Sequence, residues 1–335
     1  MVPDGGLATR ERKKVVNKMV TKRIAVLDDF QGVAIKSADW TPVKDRAEVT
    51  VFNDHLDDEE SIAERLLPFD AVCVMRERTP LPRRILERLP NLRFIASTGA
   101  RNASIDLSAA HDLGITVSAT GANGSGAPEL TWALILAAAR HVTTEVASFR
   151  SGGWQTNVGL DISGSTLGII GLGRIGRQIA KVGLAFGMEV IAWSQNLTDD
   201  AANAAGVRRV EKQALLRQAD WVTLHLVLSE RTRGVIGHNE LMMMKPSAWL
   251  VNTSRGPLVD EAALIAALQA GTIAGAALDV FDREPLPSAH PLRTIPNVIG
   301  TPHVGFVTEQ SYGIFYRDMV ENLLAWLNGA PIRTL

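Results

Sequence analysis

The stretch 167–176, LGIIGLGRIG, constrains this chain more than any other. An apolar strand pattern runs into Gly171-x-Gly173-x-x-Gly176, and a helical pattern follows over 174–186. The glycines of such a turn have separate tasks. The first permits the tight bend, the second lets backbone approach a pyrophosphate, and the third lets helix and strand pack closely. A helix beginning there presents unsatisfied N–H groups and the positive end of its dipole to phosphates. The glycine pattern alone is weak, but strand, turn and helix in register predict a dinucleotide-binding unit.

In such a unit an acid about twenty residues on binds the ribose 2′-hydroxyl. Here the strand over 189–192 is followed by Trp193, Ser194, Gln195 and Asn196, and the acidic position falls on Ser194. No carboxylate repels a 2′-phosphate there, and no arginine reaches for one. Ser194 and Gln195 can hydrogen-bond either ribose form. The choice between NAD and NADP is therefore open, with a relaxed protein, or one accepting NADP, the expectation.

Short β-branched runs alternate with helical stretches on both sides of this turn. Strands are expected at 23–28, 49–52, 71–75, 92–97 and 115–118, then at 166–170, 189–192, 221–226, 248–252, 275–280 and 298–300. Such alternation implies parallel sheets covered on both faces. The small-residue run TGANGSGAP over 120–128 marks a break; a long apolar helix is expected from 129 to 149. The length, 335 residues, suits about two domains at roughly 150 residues each. The expected fold is α/β: two Rossmann-like doubly wound parallel-sheet domains with a cleft between them. Residues 21–121 with 304–335 are read as a discontinuous substrate domain, 122–303 as the dinucleotide-binding domain, and 1–20 as a flexible extension. The last helix, 312–327, is expected to return onto the first domain.

Composition removes other classes. Apolar residues make up 46% and charged residues 21%, which excludes a disordered or collagen-like chain. Lys plus Arg (35) nearly cancels Asp plus Glu (36), so nothing points to nucleic acid. The one cysteine, Cys73, lies in an apolar run and is read as a buried thiol. No metal site is expected, because no paired His/Asp cluster is present. No run approaches the ~18 to 20 apolar residues of a membrane helix. The basic stretch from Arg10 to Arg23 leads into no apolar segment, so no secretory signal is read and the expected location is cytoplasmic.

Three polar residues each follow a late strand: Arg255 after 249–254, Glu284 after 277–283, and His303 after 297–302. Open α/β sheets bind ligands outside the carboxyl ends of their strands. A guanidinium matches a carboxylate and an adjoining keto oxygen. Hydride arriving at a carbonyl carbon leaves an oxygen that needs a proton, which histidine donates near neutral pH. An ionised glutamate beside that histidine holds its tautomer. His225 ends a strand, where lining the cofactor and packing are equal readings. His55, His111, His141, His238 and His290 are read as structural.

These residues resemble the D-isomer-specific 2-hydroxyacid dehydrogenase family. The similarity is carried by GIIGLGRIG at 168–176, LHL at 224–226, LVNTSRGPLVD at 250–260, GAALDVFDREP at 275–285 and TPHVG at 301–305. It extends over nearly everything from about Arg23 onward. The resemblance implies an NAD- or NADP-dependent oxidoreductase that moves hydride between nicotinamide and a small 2-hydroxy or 2-oxo acid. Candidates are 3-phosphoglycerate, glyoxylate and hydroxypyruvate. It implies Arg255 on the substrate carboxylate and carbonyl, with Glu284 and His303 as acid–base pair. Arg174 and Ile175 would lie at the pyrophosphate, Thr253 and Ser254 near the nicotinamide ribose, and Asp279 on the carboxamide. Backbone at Gly99 and Ala100 would bind substrate, and Arg76 and Thr79 would line its mouth. A homodimer built around 129–157 is implied as well.

There are departures from the family pattern. Ser194 stands for the usual aspartate and Val227 for a common proline, and Ala100-Arg101-Asn102-Ala103 partly replaces a glycine-rich loop. Glu284, rather than glutamine, argues against formate dehydrogenation. No regulatory domain is expected after Leu335. The alternative reading is a dinucleotide-sensing, corepressor-like interaction protein with little turnover.

Overall fold

The computed structural model describes residues 21–335; the extension expected over 1–20 lies outside the described residues. The chain forms two compact units, one of 21–121 with Phe315–Leu335, the other Ala122–Ile314.

The first unit holds five strands: β1 (Lys22–Val26), β2 (Ala47–Val51), β3 (Ala71–Val74), β4 (Phe94–Ser97) and β5 (Thr116–Ala119). All pair in parallel, in the order β2-β1-β3-β4-β5. The central strands β3 (AVCV) and β4 (FIAS) are buried at every position. A parallel sheet covered on both faces needs such unbroken apolar runs. Cys73 lies within β3, where burial pushes its thiol up to about 12 and leaves it inert. The later part of the helix Glu309–Leu327 covers this sheet. Trp326 stacks on Phe94 at 5.3 Å, and Asn322 Nδ2 donates to the Ala119 carbonyl at 2.8 Å.

The second unit holds seven strands: β6 (Thr166–Ile170), β7 (Glu189–Trp193), β8 (Arg208–Arg209), β9 (Trp221–Leu224), β10 (Trp249–Asn252), β11 (Gly275–Leu278) and β12 (Val298–Gly300). They lie in the order β12-β11-β10-β9-β6-β7-β8. The chain winds outward from β6 to β8, then returns to β9 on the other side of β6. The direction of winding thus reverses between β6 and β9, and ligands of doubly wound sheets bind at such a reversal.

Three expectations are corrected. β8 was not anticipated, since two arginines at a sheet edge carry no apolar signal. The strands expected at 221–226 and 275–280 end at Leu224 and Leu278, and the residues beyond them form loops. The single helix expected over 129–149 is two, Gly126–Ala139 and Val142–Arg150, broken at His141 with φ 50°. The first packs Leu134, Ile135 and Ala138 into the core, whereas the second buries nothing. Apolar residues continue across the break, so the pattern did not reveal it.

Among the described residues no helix is long and apolar enough to cross a membrane, and no group of three His, Cys, Asp or Glu is placed to hold a metal.

Candidate active site

The turn after β6 has the shape its glycines require. Gly171 has φ +108°, and a Cβ there would lie 2.7 Å from the His225 carbonyl. A Cβ at Gly176 would collide with the Gly171 carbonyl oxygen, so the helix Arg174–Ala185 can sit this close only with glycine there. A Cβ at Gly173 would meet nothing within 4 Å, which leaves the outer face of the turn open. No side chain caps the helix that starts there. Open space before uncapped N–H groups fits a pyrophosphate. Arg174 is exposed and its guanidinium lies against Gly124; Ile175 is partly buried and packs on the core.

Next to the turn, after β7, Ser194 Oγ accepts the Leu172 N–H at 3.0 Å, while Gln195 is exposed. On the other side, after β9, His225 Nε2 lies 2.9 Å from Thr223 Oγ1. Burial holds its imidazole neutral down to about 3.

Arg255, Glu284 and His303 follow β10, β11 and β12, which are neighbours in the sheet. Their loops therefore leave the same edge, one strand spacing of roughly 4.8 Å apart. Glu284 Oε1 accepts the Phe281 N–H at 2.9 Å, and Oε2 lies 2.5 Å from His303 Nδ1. The Glu284–Pro285 peptide is cis. With Nδ1 occupied, Nε2 is the nitrogen left to exchange a proton. The His303 and Glu284 side chains are 22% and 30% exposed, so the pair is accessible. The Arg255 loop is tied down locally. Asn252 Nδ2 donates to the Arg255 carbonyl at 2.8 Å, and Arg255 Nη1 donates to the Ser254 carbonyl at 2.7 Å. Thr253 Oγ1 lies 2.7 Å from Thr131 Oγ1, and Ser254 Oγ donates to the Leu226 carbonyl at 2.8 Å.

Asp279 has a role that the sequence did not reveal. It is 1% exposed, and its two oxygens accept Thr301 Oγ1 at 2.6 Å, Val304 N at 2.8 Å and Gly305 N at 2.9 Å. These donors flank His303, whose φ of 52° is left-handed and unusual for a side chain of that size. Asp279 thus holds the turn that presents the imidazole. Burial raises its pKa, and the three donors work against that rise. In Asp279→Asn, an amide NH₂ would face one of these donors and leave it unpaired, at a cost of about 1–3 kcal/mol. We expect a lower melting temperature and a kcat reduced at least roughly tenfold; thermal melts and steady-state rates check both. An unchanged kcat would refute the positioning role.

The first unit carries the other expected residues. Arg76 has φ 54°, its N–H donates to Thr98 Oγ1 at 2.7 Å, and its carbonyl accepts Asn102 Nδ2 at 2.6 Å. Those bonds join the loops after β3 and β4 and lay the Arg76 guanidinium against Gly99. The Gly99 N–H already donates to Thr120 Oγ1 at 2.8 Å, whereas Ala100 is exposed. Thr79 is buried and donates to Asp28 Oδ2 at 2.7 Å. Asp28 also meets His55 Nδ1 at 2.8 Å, a bond that raises the imidazole pKa.

The structure therefore brings Glu284 and His303 into contact, puts the Arg255 loop beside theirs, and sets Ser194 against the glycine turn. Asn252 and Thr131 were missed. A polar residue closing the buried strand WLVN was the available signal for Asn252; nothing local marks Thr131.

The chain is similar to proteins of known family. Residues 132–305 match the family model described as D-isomer specific 2-hydroxyacid dehydrogenase, NAD binding domain. A D-3-phosphoglycerate dehydrogenase of Methanocaldococcus jannaschii is 41% identical over 256 residues, covering 75% of this chain and 48% of that protein. A glyoxylate reductase of Aeropyrum pernix is 40% identical over 255 residues, covering 73% of this chain and 76% of that protein. The chain thus spans about half the length of the first and three quarters of the second. The crystal structure of a phosphoglycerate oxidoreductase from Vibrio cholerae matches with a TM-score of 0.88 at 38% identity, over 92% of this chain and 100% of its own.

Proposed function

This chain belongs to the D-isomer specific 2-hydroxyacid dehydrogenase family, and from that we propose that it reduces small 2-oxo acids to 2-hydroxy acids and runs the reverse oxidation. The observation that carries this reading is the 2.5 Å contact of Glu284 with His303 Nδ1, on a strand-end loop next to that of Arg255.

When bound, the nicotinamide supplies or takes up the hydride. In reduction, the Arg255 guanidinium holds the substrate carboxylate and polarises the carbonyl oxygen. His303 Nε2 donates a proton to that oxygen as the carbonyl carbon is reduced, and Glu284 stabilises the ring while it is protonated. In oxidation, His303 takes the proton back. Gly171, Gly173 and Gly176, with Arg174 and Ile175, would receive the pyrophosphate. Thr253 and Ser254 would lie by the nicotinamide ribose, and His225 beneath the turn. On the first unit, Arg76, Thr79, Gly99 and Ala100 are proposed as substrate-loop residues. The engaged Gly99 N–H makes Ala100 the better backbone donor.

The relatives' names suggest glyoxylate, hydroxypyruvate and 3-phosphoglycerate as substrate types. A steady-state panel of glyoxylate, hydroxypyruvate and 3-phosphohydroxypyruvate with reduced coenzyme tests the reading. We expect at least one to reach a kcat/KM of about 10⁴ M⁻¹s⁻¹ or more. No turnover with any 2-oxo acid would reject it.

We also propose a homodimer through the helix Val142–Arg150 and the segment after it, in a cytoplasmic protein. Val142, Val146, Phe149 and Trp154 (75% exposed) line one apolar hollow, and Val158 further along the segment is 90% exposed. Faces of this kind mark protein contacts. Glu145 holds the segment in place. Its carboxylate accepts Thr156 Oγ1 at 2.7 Å, Asn157 N at 2.7 Å and Asn157 Nδ2 at 2.9 Å. Donors from Thr156, then Asn157, pull its pKa down from 4.5 to about 2. A depressed carboxylate contributes stability above its unfolded value and loses it as pH falls. The tether is therefore complete above about pH 4.5 and released as pH drops through about 2. Glu145→Ala should weaken the dimer near neutral pH, which sedimentation equilibrium would read. A dimer of unchanged affinity would count against the tether.

A further inference from the structure

We propose that Asp28 and His55 are positioning residues for the substrate loop 76–79, and that the charge on His55 sets how firmly that loop is held. The proposal rests on the reading of this loop as substrate-binding and goes beyond it to a buried pair that the chemistry at His303 does not use.

In the first unit the chain winds from β1 out to β2 and returns to β3 on the other side of β1. The winding reverses between β1 and β3, the place where doubly wound sheets receive ligands. Asp28 follows β1, and the loop 76–79 follows β3. Both carry left-handed backbone at a residue other than glycine, with φ 58° at Asp28 and 54° at Arg76. Such bends persist only where the surroundings fix them. At one end of the loop, Asp28 Oδ2 accepts Thr79 Oγ1 at 2.7 Å and the Asp28 carbonyl accepts Arg78 Nη1 at 2.9 Å. At the other end, Thr98 Oγ1 accepts the Arg76 N–H and Asn102 Nδ2 donates to the Arg76 carbonyl. The loop is therefore clamped at both ends. Behind Asp28 stands His55, a residue type that titrates near neutral pH.

Asp28 is 2% exposed, and its Oδ1 meets His55 Nδ1 at 2.8 Å. A carboxylate only accepts, so Nδ1 carries a proton in either charge state of the ring. Ring charge thus alters the strength of this bond and not its existence; a charge-assisted bond is roughly twice as strong as a neutral one. Four other groups surround the ring. Asp57 Oδ1 lies 3.5 Å from Nε2, and Asp54, engaged by Arg65 of the helix Glu59–Leu66, adds a second negative charge. Arg78 stacks over the Phe30 ring at 4.5 Å, and Phe30 meets His55 edge-on at 6.3 Å. The Asp28 hydrogen bond raises the imidazole pKa above 6.5 against the effect of burial; the charges of Asp28 and Asp57 add to the rise and Arg78 opposes it. A raised value contributes fully below about pH 6.5 and is lost as pH climbs through it. Above it the neutral ring holds Asp28 less firmly, and Asp28 holds Thr79 less firmly.

Steady-state kinetics on the full chain between roughly pH 5.5 and 9 tests this. The substrate is whichever of glyoxylate, hydroxypyruvate and 3-phosphohydroxypyruvate the wild type turns over fastest. His55→Asn keeps a neutral N–H donor for Asp28 and cannot titrate. We expect the wild-type KM to rise about threefold to tenfold as His55 loses its charge. In His55→Asn that step is missing and KM has the high value at every pH, with the change on KM rather than kcat. Asp28→Asn turns an amide NH₂ toward one of its two donors, and its KM should rise on the order of tenfold or more. Hydrogen exchange reads the loop itself. Residues 75–80 should exchange on the order of tenfold faster in His55→Asn at pH 6, with β1 and β3 still protected. A purely structural pair would lower the melting temperature and leave the pH course of KM as it was. The proposal is overturned by a KM step that survives in His55→Asn, or by loop exchange equal to wild type. Should Asp28→Asn not fold, His55→Asn decides the matter by itself. Wild-type protein that turns over no 2-oxo acid rejects the dehydrogenase reading, and loop exchange in His55→Asn then decides whether the pair holds the loop.

Discussion

Replacing His303 by alanine lowers kcat by roughly 10²- to 10⁴-fold, the usual contribution of a positioned general acid. Coenzyme affinity stays where it was, because the glycine turn after β6 is four strands away from β12 in the sheet. The size of the loss follows from the hydrogen bonding. Nδ1 is engaged by Glu284 at 2.5 Å, so Nε2 alone is left to carry the proton. Glu284 is itself fixed by the Phe281 N–H at 2.9 Å, which keeps the ring in one orientation. Alanine removes the proton donor and leaves an acidic group with no base beside it. Glu284→Gln is the informative companion. It keeps a hydrogen-bonding partner at Nδ1 but removes the charge that stabilises imidazolium, so its loss should be smaller. Steady-state kinetics with a saturating 2-oxo acid, beside a coenzyme titration, separates the two effects. An unchanged rate in His303→Ala would exclude the histidine from the chemistry.

The second large effect is expected at Arg255. Truncation to alanine removes two charge-assisted hydrogen bonds to the substrate, each worth about 1.5–3 kcal/mol. Together they correspond to a fall in kcat/KM of roughly 10²- to 10⁴-fold. KM should rise because the carboxylate loses its clamp. Turnover should fall as well, because the carbonyl is no longer held beside Nε2. Arg255→Lys restores the charge without the planar fork and should recover only part of the loss. The loop itself should survive, since the Asn252 bond reaches the Arg255 carbonyl and not its side chain. A kcat/KM within a few-fold of wild type in Arg255→Ala would reject the clamp.

The parts of this arrangement that could be read from the sequence are those encoded locally. The glycine turn needs only ten consecutive residues, and each glycine's task is visible in its spacing. The strands could be located, though two of their ends were set two residues too far, because buried parallel strands are unbroken apolar runs, and that placed Arg255, Glu284 and His303 after the late strands. The Asp279 anchor was hidden because its partners lie 22 to 26 residues away and two of them are backbone N–H groups. The break at His141 was hidden because helix preference and apolar content do not change across it. β8 was hidden because pairing at a sheet edge, not burial, makes it a strand. Thr79, which the family resemblance puts at the substrate mouth, is buried and bonded to Asp28.

The most direct measurement is a single turnover. The protein is saturated with reduced coenzyme, mixed with a 2-oxo acid, and followed by nicotinamide absorbance, with the wild type beside His303→Ala. The account predicts rapid loss of the reduced nicotinamide signal and one equivalent of D-2-hydroxy acid in the wild type, with the same event slowed by orders of magnitude in the variant. Bound coenzyme that stays reduced in the wild type with every 2-oxo acid, or that is oxidised equally fast in both proteins, would contradict it.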